Sequence, residues 1–183
     1  MTQITIFAGG SLVLALISRK SLLAPRSHGF FRFFAWEAIL ALFLLNAPAW
    51  FRDPLSPGQI LSWILLTASL VPLFAGIRSL NTNGGARRAR EGDSSLLPFE
   101  TTTALVTTGI YGTIRHPLYA SLLLLAWGIF FKSASWAGGV LAAAATLLLF
   151  ATARADEAEC LRFFGEEYRT YMQRTHMFIP FIL

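Results

Sequence analysis

The chain has 183 residues, of which 55% are hydrophobic and 14% are charged, and its formal net charge is +5. An average soluble domain contains about 25% charged residues, so this composition excludes an ordinary soluble domain and indicates a protein surrounded by lipid. Cys160 is the single cysteine, which excludes an intramolecular disulfide and a cysteine-based metal cluster. No metal site is predicted.

Apolar segments close to the length of a membrane-crossing helix recur along most of the chain. They predict an all-α polytopic membrane protein with about five transmembrane helices in one domain, residues 1–183. Residues 1–80 hold three of these helices, and residues 81–183 hold a loop, a transmembrane hairpin and a C-terminal helix. In chain order the predicted spans are Ile4–Ser18, Phe30–Phe51, Gln59–Leu80, Pro117–Phe131 and Ala134–Ala153.

The distribution of basic residues predicts the orientation, because Lys and Arg accumulate in cytoplasmic loops. Thirteen of the 15 fall in the first loop, the third loop or the tail, and only Arg52 and Lys132 lie between the other spans. The N-terminus is therefore predicted outside and the C-terminus in the cytoplasm. Anionic headgroups beside these loops account for the positive net charge, so no nucleic-acid partner is predicted.

Two polar segments lie outside the spans. The third loop, Asn81 to about Leu105, is either a lid or a linker. After the last span, Asp156–Arg174 places apolar residues at steps of three and four, which is the period of an amphipathic helix. We predict that this helix lies along the cytoplasmic membrane surface.

Two clusters in the predicted cytoplasmic half carry residue types with chemical uses. Taken separately, each has a plain structural interpretation: Pro117 suits the first turn of a helix, Arg115 suits the headgroup region, and Asp156 suits a solvated surface. The first cluster runs from Leu105 to Tyr111 and into Arg115-His116-Pro117-Leu118-Tyr119; the second joins Arg154-Ala155-Asp156-Glu157 to Phe164-Gly165-Glu166-Glu167-Tyr168.

Joined in this order, with a hydrophobic hairpin between them, the clusters resemble the isoprenylcysteine carboxyl methyltransferase family and its relatives among the phospholipid methyltransferases. The resemblance covers about Leu105 to Ile182, and Asp156 stands where the family usually has a glutamate. The three N-terminal spans match only in hydrophobicity and are expected to vary with substrate. The positions that carry the resemblance are Leu105, Val106, Thr107, Gly109, Tyr111, Arg115, His116, Pro117, Tyr119, Asp156, Glu157, Phe164, Gly165, Tyr168, Tyr171 and Pro180.

The resemblance implies an S-adenosylmethionine-dependent methyltransferase for a lipophilic acceptor, an isoprenylcysteine-type carboxylate or another lipid or thiol. Such a donor carries a sulfonium cation, an amino-acid end and an adenine ring, and the clusters supply acids, hydrogen-bond donors and aromatic faces. Arg154 or Arg115 would position the substrate, and His116 is either a cofactor ligand or a general base. The residues implied to bind the cofactor are Thr103, Leu105, Val106, Tyr111, His116, Pro117, Leu118, Tyr119, Asp156, Glu157, Phe164 and Tyr168.

The roles of three acidic residues each have two interpretations. Neighbours on a helix point about 100° apart, so Asp156 and Glu157 cannot face one ligand equally. The family alignment favours Asp156, whereas the apolar stripe of the predicted helix favours Glu157. Glu37, an acid well inside a span, either lines the substrate pocket or pairs with Arg32 near the interface.

Two other functional classes stay open. A membrane enzyme similar to sterol reductases would use NADPH, and a non-catalytic scaffold or small transporter would use the motifs only as interfacial anchors. A transporter more often shows paired halves with broken helices, and no such halves are visible.

Among the remaining polar residues, His28 and His176 are predicted to face solvent at the headgroups, and Cys160 is predicted to pack against its neighbours.

Overall fold

Helices account for most of the described part of the chain, residues 2–85 and 102–179 of a computed structural model. Within these residues, the one β contact is an isolated bridge between Ile114 and His176. The predicted all-α polytopic membrane fold is therefore confirmed. The helices are α1 (Thr2–Ile17), α2 (Arg19–Leu22), α3 (His28–Asn46), α4 (Pro57–Asn83), α5 (Pro117–Phe130), α6 (Trp136–Phe164) and α7 (Glu166–Met172), with 3₁₀ turns at Ala47–Ala49 and Gly109–Gly112.

Five of these helices coincide with the five predicted spans. Three segments are long and apolar enough to cross a membrane by length and composition, namely His28–Ala49, Pro57–Asn83 and Trp136–Phe164. The helices α1 and α5 are apolar but shorter. The 14 residues of α5 extend about 21 Å, less than the roughly 30 Å of a hydrocarbon layer. One end of α5 must therefore lie at membrane depth.

Polar side chains satisfy the last carbonyls of α5, which have no partner within the helix. Asn46 Nδ2 donates to the carbonyl of Ile129 at 2.8 Å. Gln59 Nε2 donates to the carbonyl of Lys132 at 3.1 Å, and Gln59 Oε1 accepts from Lys132 Nζ at 3.0 Å. We call Asn46, Gln59 and Lys132 the polar plug. It allows a short helix to end away from water.

The bundle is built from two helix pairs, α3 with α6 and α4 with α5. Buried alanines, including Ala35 and Ala145, allow α3 and α6 to approach closely. In α5, a Cβ on Gly128 would lie 3.1 Å from the backbone nitrogen of Leu66 in α4, so this glycine permits the α4–α5 contact. The pairs bring the first residues of α3 and α5 to the same end of the bundle as the last residues of α4 and α6.

The C-terminal region differs from the predicted surface helix over Asp156–Arg174. Helix α6 continues without a break to Phe164, so the first part of that predicted helix belongs to the last span. The helix stops at Gly165, whose φ of +61° is a conformation that glycine adopts readily, and only Glu166–Met172 forms a separate helix. Charged residues end the hydrophobic stretch but do not interrupt helical hydrogen bonding, which explains the early predicted boundary.

Several sequence predictions fall outside the described residues. Most of the third loop, predicted as a lid or linker, is among them, as is Pro180 of the motif. Within the described part, Arg19, Arg78 and Arg154 lie near one end of the bundle and Arg52 near the other. The assignment of the arginine-rich end to the cytoplasm stays a prediction. The loop arginines outside the described residues are Arg87, Arg88 and Arg90.

Candidate functional site

The segment before α5 and the tail after α7 lie side by side. Arg115 N donates to the carbonyl of His176 at 2.8 Å, and His116 N donates to the carbonyl of Met177 at 3.1 Å. His176 N in turn donates to the carbonyl of Thr113 at 3.1 Å. These backbone bonds fasten the first motif cluster to the tail at the end of the bundle where α6 emerges.

Ten of the predicted site residues line one cavity at this junction. The sequence placed them in two clusters separated by a hairpin, and the fold brings the clusters together. Their individual roles stay predictions. The ten are Leu105, Val106, Tyr111, Arg115, His116, Leu118, Tyr119, Asp156, Phe164 and Tyr168.

Asp156 is the acid that faces this cavity. Its Oδ2 accepts a hydrogen bond from the Tyr119 hydroxyl at 3.2 Å and lies 3.5 Å from His116 Nδ1. Its Oδ1 accepts from Cys160 Sγ at 3.6 Å. The side chain keeps 23% of its surface exposed, so a ligand in the cavity can reach it.

Glu157 points instead into the protein and forms a buried ion pair. Its Oε1 accepts from Arg115 Nε at 2.8 Å, and its side chain is only 3% exposed. The other end of the Arg115 guanidinium donates to the carbonyls of Met172 and Thr175. Arg115 therefore ties α6 to the segment that follows α7. This division of contacts favours Asp156 over Glu157 as the acid that meets a ligand.

His116 is buried between the two acids and stacks on Tyr119, with ring centroids 5.4 Å apart. Its Nε2 lies 3.5 Å from Glu157 Oε1 without hydrogen-bond geometry, and no other described residue bonds that nitrogen. Burial alone would lower the pKa of His116, but the nearby carboxylates of Asp156 and Glu157 favour the charged ring and raise that pKa above its ordinary value of 6.5. The protonated ring is thus favoured, with Nδ1 on the side of Asp156 and Nε2 buried on the side of Glu157.

This raised pKa predicts a pH dependence of stability. A group whose pKa rises on folding stabilises the native state fully below its unfolded pKa and loses that contribution as pH rises through the native value. The free energy of unfolding of detergent-solubilised protein should therefore fall as pH rises from 6.5 through the raised native pKa. His116→Gln should lack this part of the slope. Equal slopes in thermal unfolding of the two proteins would contradict the assignment.

His28 also lines the cavity, although the sequence predicted it to face solvent. It is 1% exposed, and Glu159 holds it twice: Oε2 lies 2.5 Å from His28 Nδ1, and Oε1 accepts from His28 N at 2.9 Å. The solvent-facing prediction was wrong because the partner lies 131 positions away, so no local signal revealed it. The cavity residues that the predicted set lacked are His28, Leu80, Thr102, Cys160 and Tyr171.

Five predicted site residues lie away from the cavity lining. Thr103 is exposed beside the buried Thr102, and Pro117 is buried against Gly76 of α4. Glu37 accepts from Ser11 Oγ at 2.6 Å between α3 and α1. The other two residues are Glu157 and Arg154. The Arg154 side chain is 65% exposed, and its Nη1 lies 3.7 Å from Glu157 Oε2.

The donor set of the cavity fits a sulfonium nucleoside. The lining combines the partly exposed carboxylate of Asp156, the imidazole of His116 and the side chains of Tyr111 and Tyr168, which are the kinds of group that an amino acid, a ribose and an adenine require. The cavity measures about 100 Å³, whereas ligand pockets typically hold about 300–1,000 Å³. The cavity is therefore smaller than a typical ligand pocket.

Comparisons with known proteins agree with this chemistry. A family model described as phospholipid methyltransferase matches residues 88–167. Methanethiol S-methyltransferase 1 of Bradyrhizobium diazoefficiens is 35% identical over 72 residues, which cover 39% of this chain and 24% of that protein. No solved structure matches the chain. Both matches support a family of membrane methyltransferases.

Proposed function

We propose that this chain is an S-adenosylmethionine-dependent methyltransferase that modifies a lipophilic acceptor at the cytoplasmic face of a cell membrane. The observation that carries the proposal is the meeting of Asp156, His116 and Tyr119 in one cavity, formed by the two motif segments. The match of residues 88–167 to phospholipid methyltransferases supports the same reaction class.

The chain's own residues suit the three parts of the donor. Asp156 would accept hydrogen bonds from a ribose or an ammonium group, and His116 would donate to a carboxylate beside the positive end of α5. Tyr111 and Tyr168 would offer ring faces to the adenine or the cation, at about 0.5–2 kcal/mol per contact. When bound, the donor supplies an electrophilic methyl group.

An apolar cleft lies beyond the cavity, toward the membrane layer, and the two share no lining residue among those described. It holds about 1040 Å³ and lies between α1, α3, α4 and α5. Each of three helices contributes one residue to the cavity and another to the cleft, 11 positions apart and therefore about three turns along one face. The three pairs are His28 with Ile39 on α3, Leu80 with Ser69 on α4, and Leu118 with Ile129 on α5. We call this space the acceptor cleft.

The acceptor cleft supports an acceptor with a hydrocarbon chain. Its lining is almost entirely apolar, so it suits an alkyl or prenyl chain that enters from the equally apolar tails of the bilayer. Its reacting group would then lie at the cavity end. Methyl transfer to a carboxylate or thiolate moves no proton in the central step, so the protein contributes mainly alignment, which can amount to about 7–11 kcal/mol.

A small thiol is a second candidate acceptor. The curated relative acts on methanethiol, as its name states, and a small thiol would not need the acceptor cleft. A radiolabelled donor, incubated in parallel with methanethiol and with membrane lipid extract, would separate the two candidates by the product that carries the label.

Calorimetry of the detergent-solubilised protein tests the reaction class. We expect S-adenosylhomocysteine, the spent donor, to bind and NADPH to give no heat. Binding of NADPH instead would favour the reductase class, and binding of neither compound would favour a scaffold or transporter. Either of these results would overturn the proposal.

A further inference from the structure

A buried cation lies behind the far end of the acceptor cleft. Lys132 is 4% exposed, and its Nζ lies 3.4 Å from the ring centroid of Trp63 and 5.1 Å from that of Trp50. Both tryptophans line the cleft, whereas Lys132 does not. No described acid forms an ion pair with Lys132. The cleft therefore ends at two tryptophans whose rings contact a lysine behind them.

Hydrogen bonds fix the position of the cation. Gln59 Oε1 accepts from Lys132 Nζ, while Gln59 Nε2 donates to the carbonyls of Ala49 and Lys132. Attraction to the tryptophan faces and to the negative end of α5 opposes the cost of burying the charge. Lys132 therefore supports the two tryptophans from behind.

The tryptophans lie several helical turns from the level of the cavity. On α5, Leu118 at the cavity and Ile129 in the cleft are 11 residues apart, which corresponds to about 16 Å. On α4, Leu80 at the cavity and Trp63 in the cleft are 17 residues apart, which corresponds to about 26 Å. An extended chain with its reacting group in the cavity would therefore have to span between about 16 and 26 Å to reach the tryptophans.

We propose that Trp50, Trp63 and Lys132 form a floor that sets the longest hydrocarbon chain the enzyme accepts. This inference rests on the proposed function, since it takes the occupant of the acceptor cleft to be the chain of the methyl acceptor. A methylene inside the cleft exchanges contacts with lipid for packing contacts with the helices. A methylene beyond the floor gains nothing, because it must bend back or displace the tryptophans.

Photo-crosslinking of the protein in lipid nanodiscs tests the floor without turnover or methyl donor. The probes are straight-chain alkanethiols, from butanethiol to octadecanethiol, each with a diazirine at the chain end. Labelled residues are mapped by mass spectrometry, with the unlabelled thiol as competitor. In the native protein, the labelling that the unlabelled thiol reduces should move from Leu70 toward Trp63 as the probe chain lengthens. For chains longer than the cleft, the unlabelled thiol should no longer reduce the labelling.

Two variants shift the limit in opposite directions. In Trp63→Ala, longer thiols should again label the cleft in a way that the unlabelled thiol reduces. Leu70 lines the cleft and is 44% exposed, so Leu70→Trp should shorten the longest thiol that labels the cleft in this way. Trp136→Ala is the matched control, since this tryptophan is 95% exposed and not part of the cleft. If Trp63→Ala fails to fold, Leu70→Trp still tests the limit.

The proposal would be overturned if both folded variants show the same dependence of labelling on chain length as the native protein. It would also be overturned if the unlabelled thiol does not reduce labelling of the cleft. The second result would identify the occupant as exchanging bilayer lipid. Because the crosslinking contains no donor, these outcomes are independent of whether S-adenosylhomocysteine binds in the calorimetric experiment.

Discussion

Replacing Asp156 by Asn is expected to weaken the binding of S-adenosylhomocysteine by about 10- to 100-fold. The Asp156 carboxylate faces the cavity and contacts both Tyr119 and His116. A hydrogen bond to a charged group is worth about 1.5–3 kcal/mol, and each 1.4 kcal/mol changes a dissociation constant about tenfold. Isothermal titration of the solubilised protein measures this change directly.

Two further variants identify the cause of the loss. Asp156→Glu keeps the charge and should retain more affinity than the amide, because the family resemblance places a glutamate at this position. Glu166→Gln should leave affinity unchanged, since that side chain is 83% exposed and pairs with Arg169. Native affinity in a folded Asp156→Asn protein would remove Asp156 from the site.

Replacing Arg115 by Ala should destabilise the protein by about 3–5 kcal/mol, because it leaves the carboxylate of Glu157 buried without its partner. It also removes the donors that hold the carbonyls of Met172 and Thr175. A large fall in the thermal midpoint is therefore expected. Arg115→Lys should recover only part of it, since an ammonium cannot reproduce the guanidinium's spread of donors.

Arg154→Ala is the matched control for this prediction. Arg154 approaches the same carboxylate, at 3.7 Å from Glu157 Oε2, but its side chain is 65% exposed and water screens the pair. We expect its thermal midpoint to stay near that of the native protein. If Arg154→Ala lowers the thermal midpoint as much as Arg115→Ala does, the buried pair of Arg115 and Glu157 is not the source of the lost stability. Lower turnover in a stable Arg154→Ala protein would support its predicted role in positioning the acceptor.

The residues that the family resemblance singled out supply most of the cavity lining, because each motif cluster is continuous along the chain. Leu105 to Tyr119 leads directly into α5, and Asp156 to Phe164 lies on one helix, so neither requires knowledge of distant packing. Ten predicted residues consequently reach one cavity. The choice between Asp156 and Glu157 could not be made in this way, because it depends on which side of α6 meets Arg115.

The sequence by itself determined the class of protein, the positions of the five apolar helices and the two clusters that form the cavity. Those features depend on composition and on short periodicities, which act over a few residues. Only the tertiary structure decided that His28 enters the cavity, that Arg115 holds Glu157, and that Lys132 lies against Gln59 and the two tryptophans of the apolar cleft. Each of these depends on a contact between residues at least 42 positions apart, which the packing of whole helices creates.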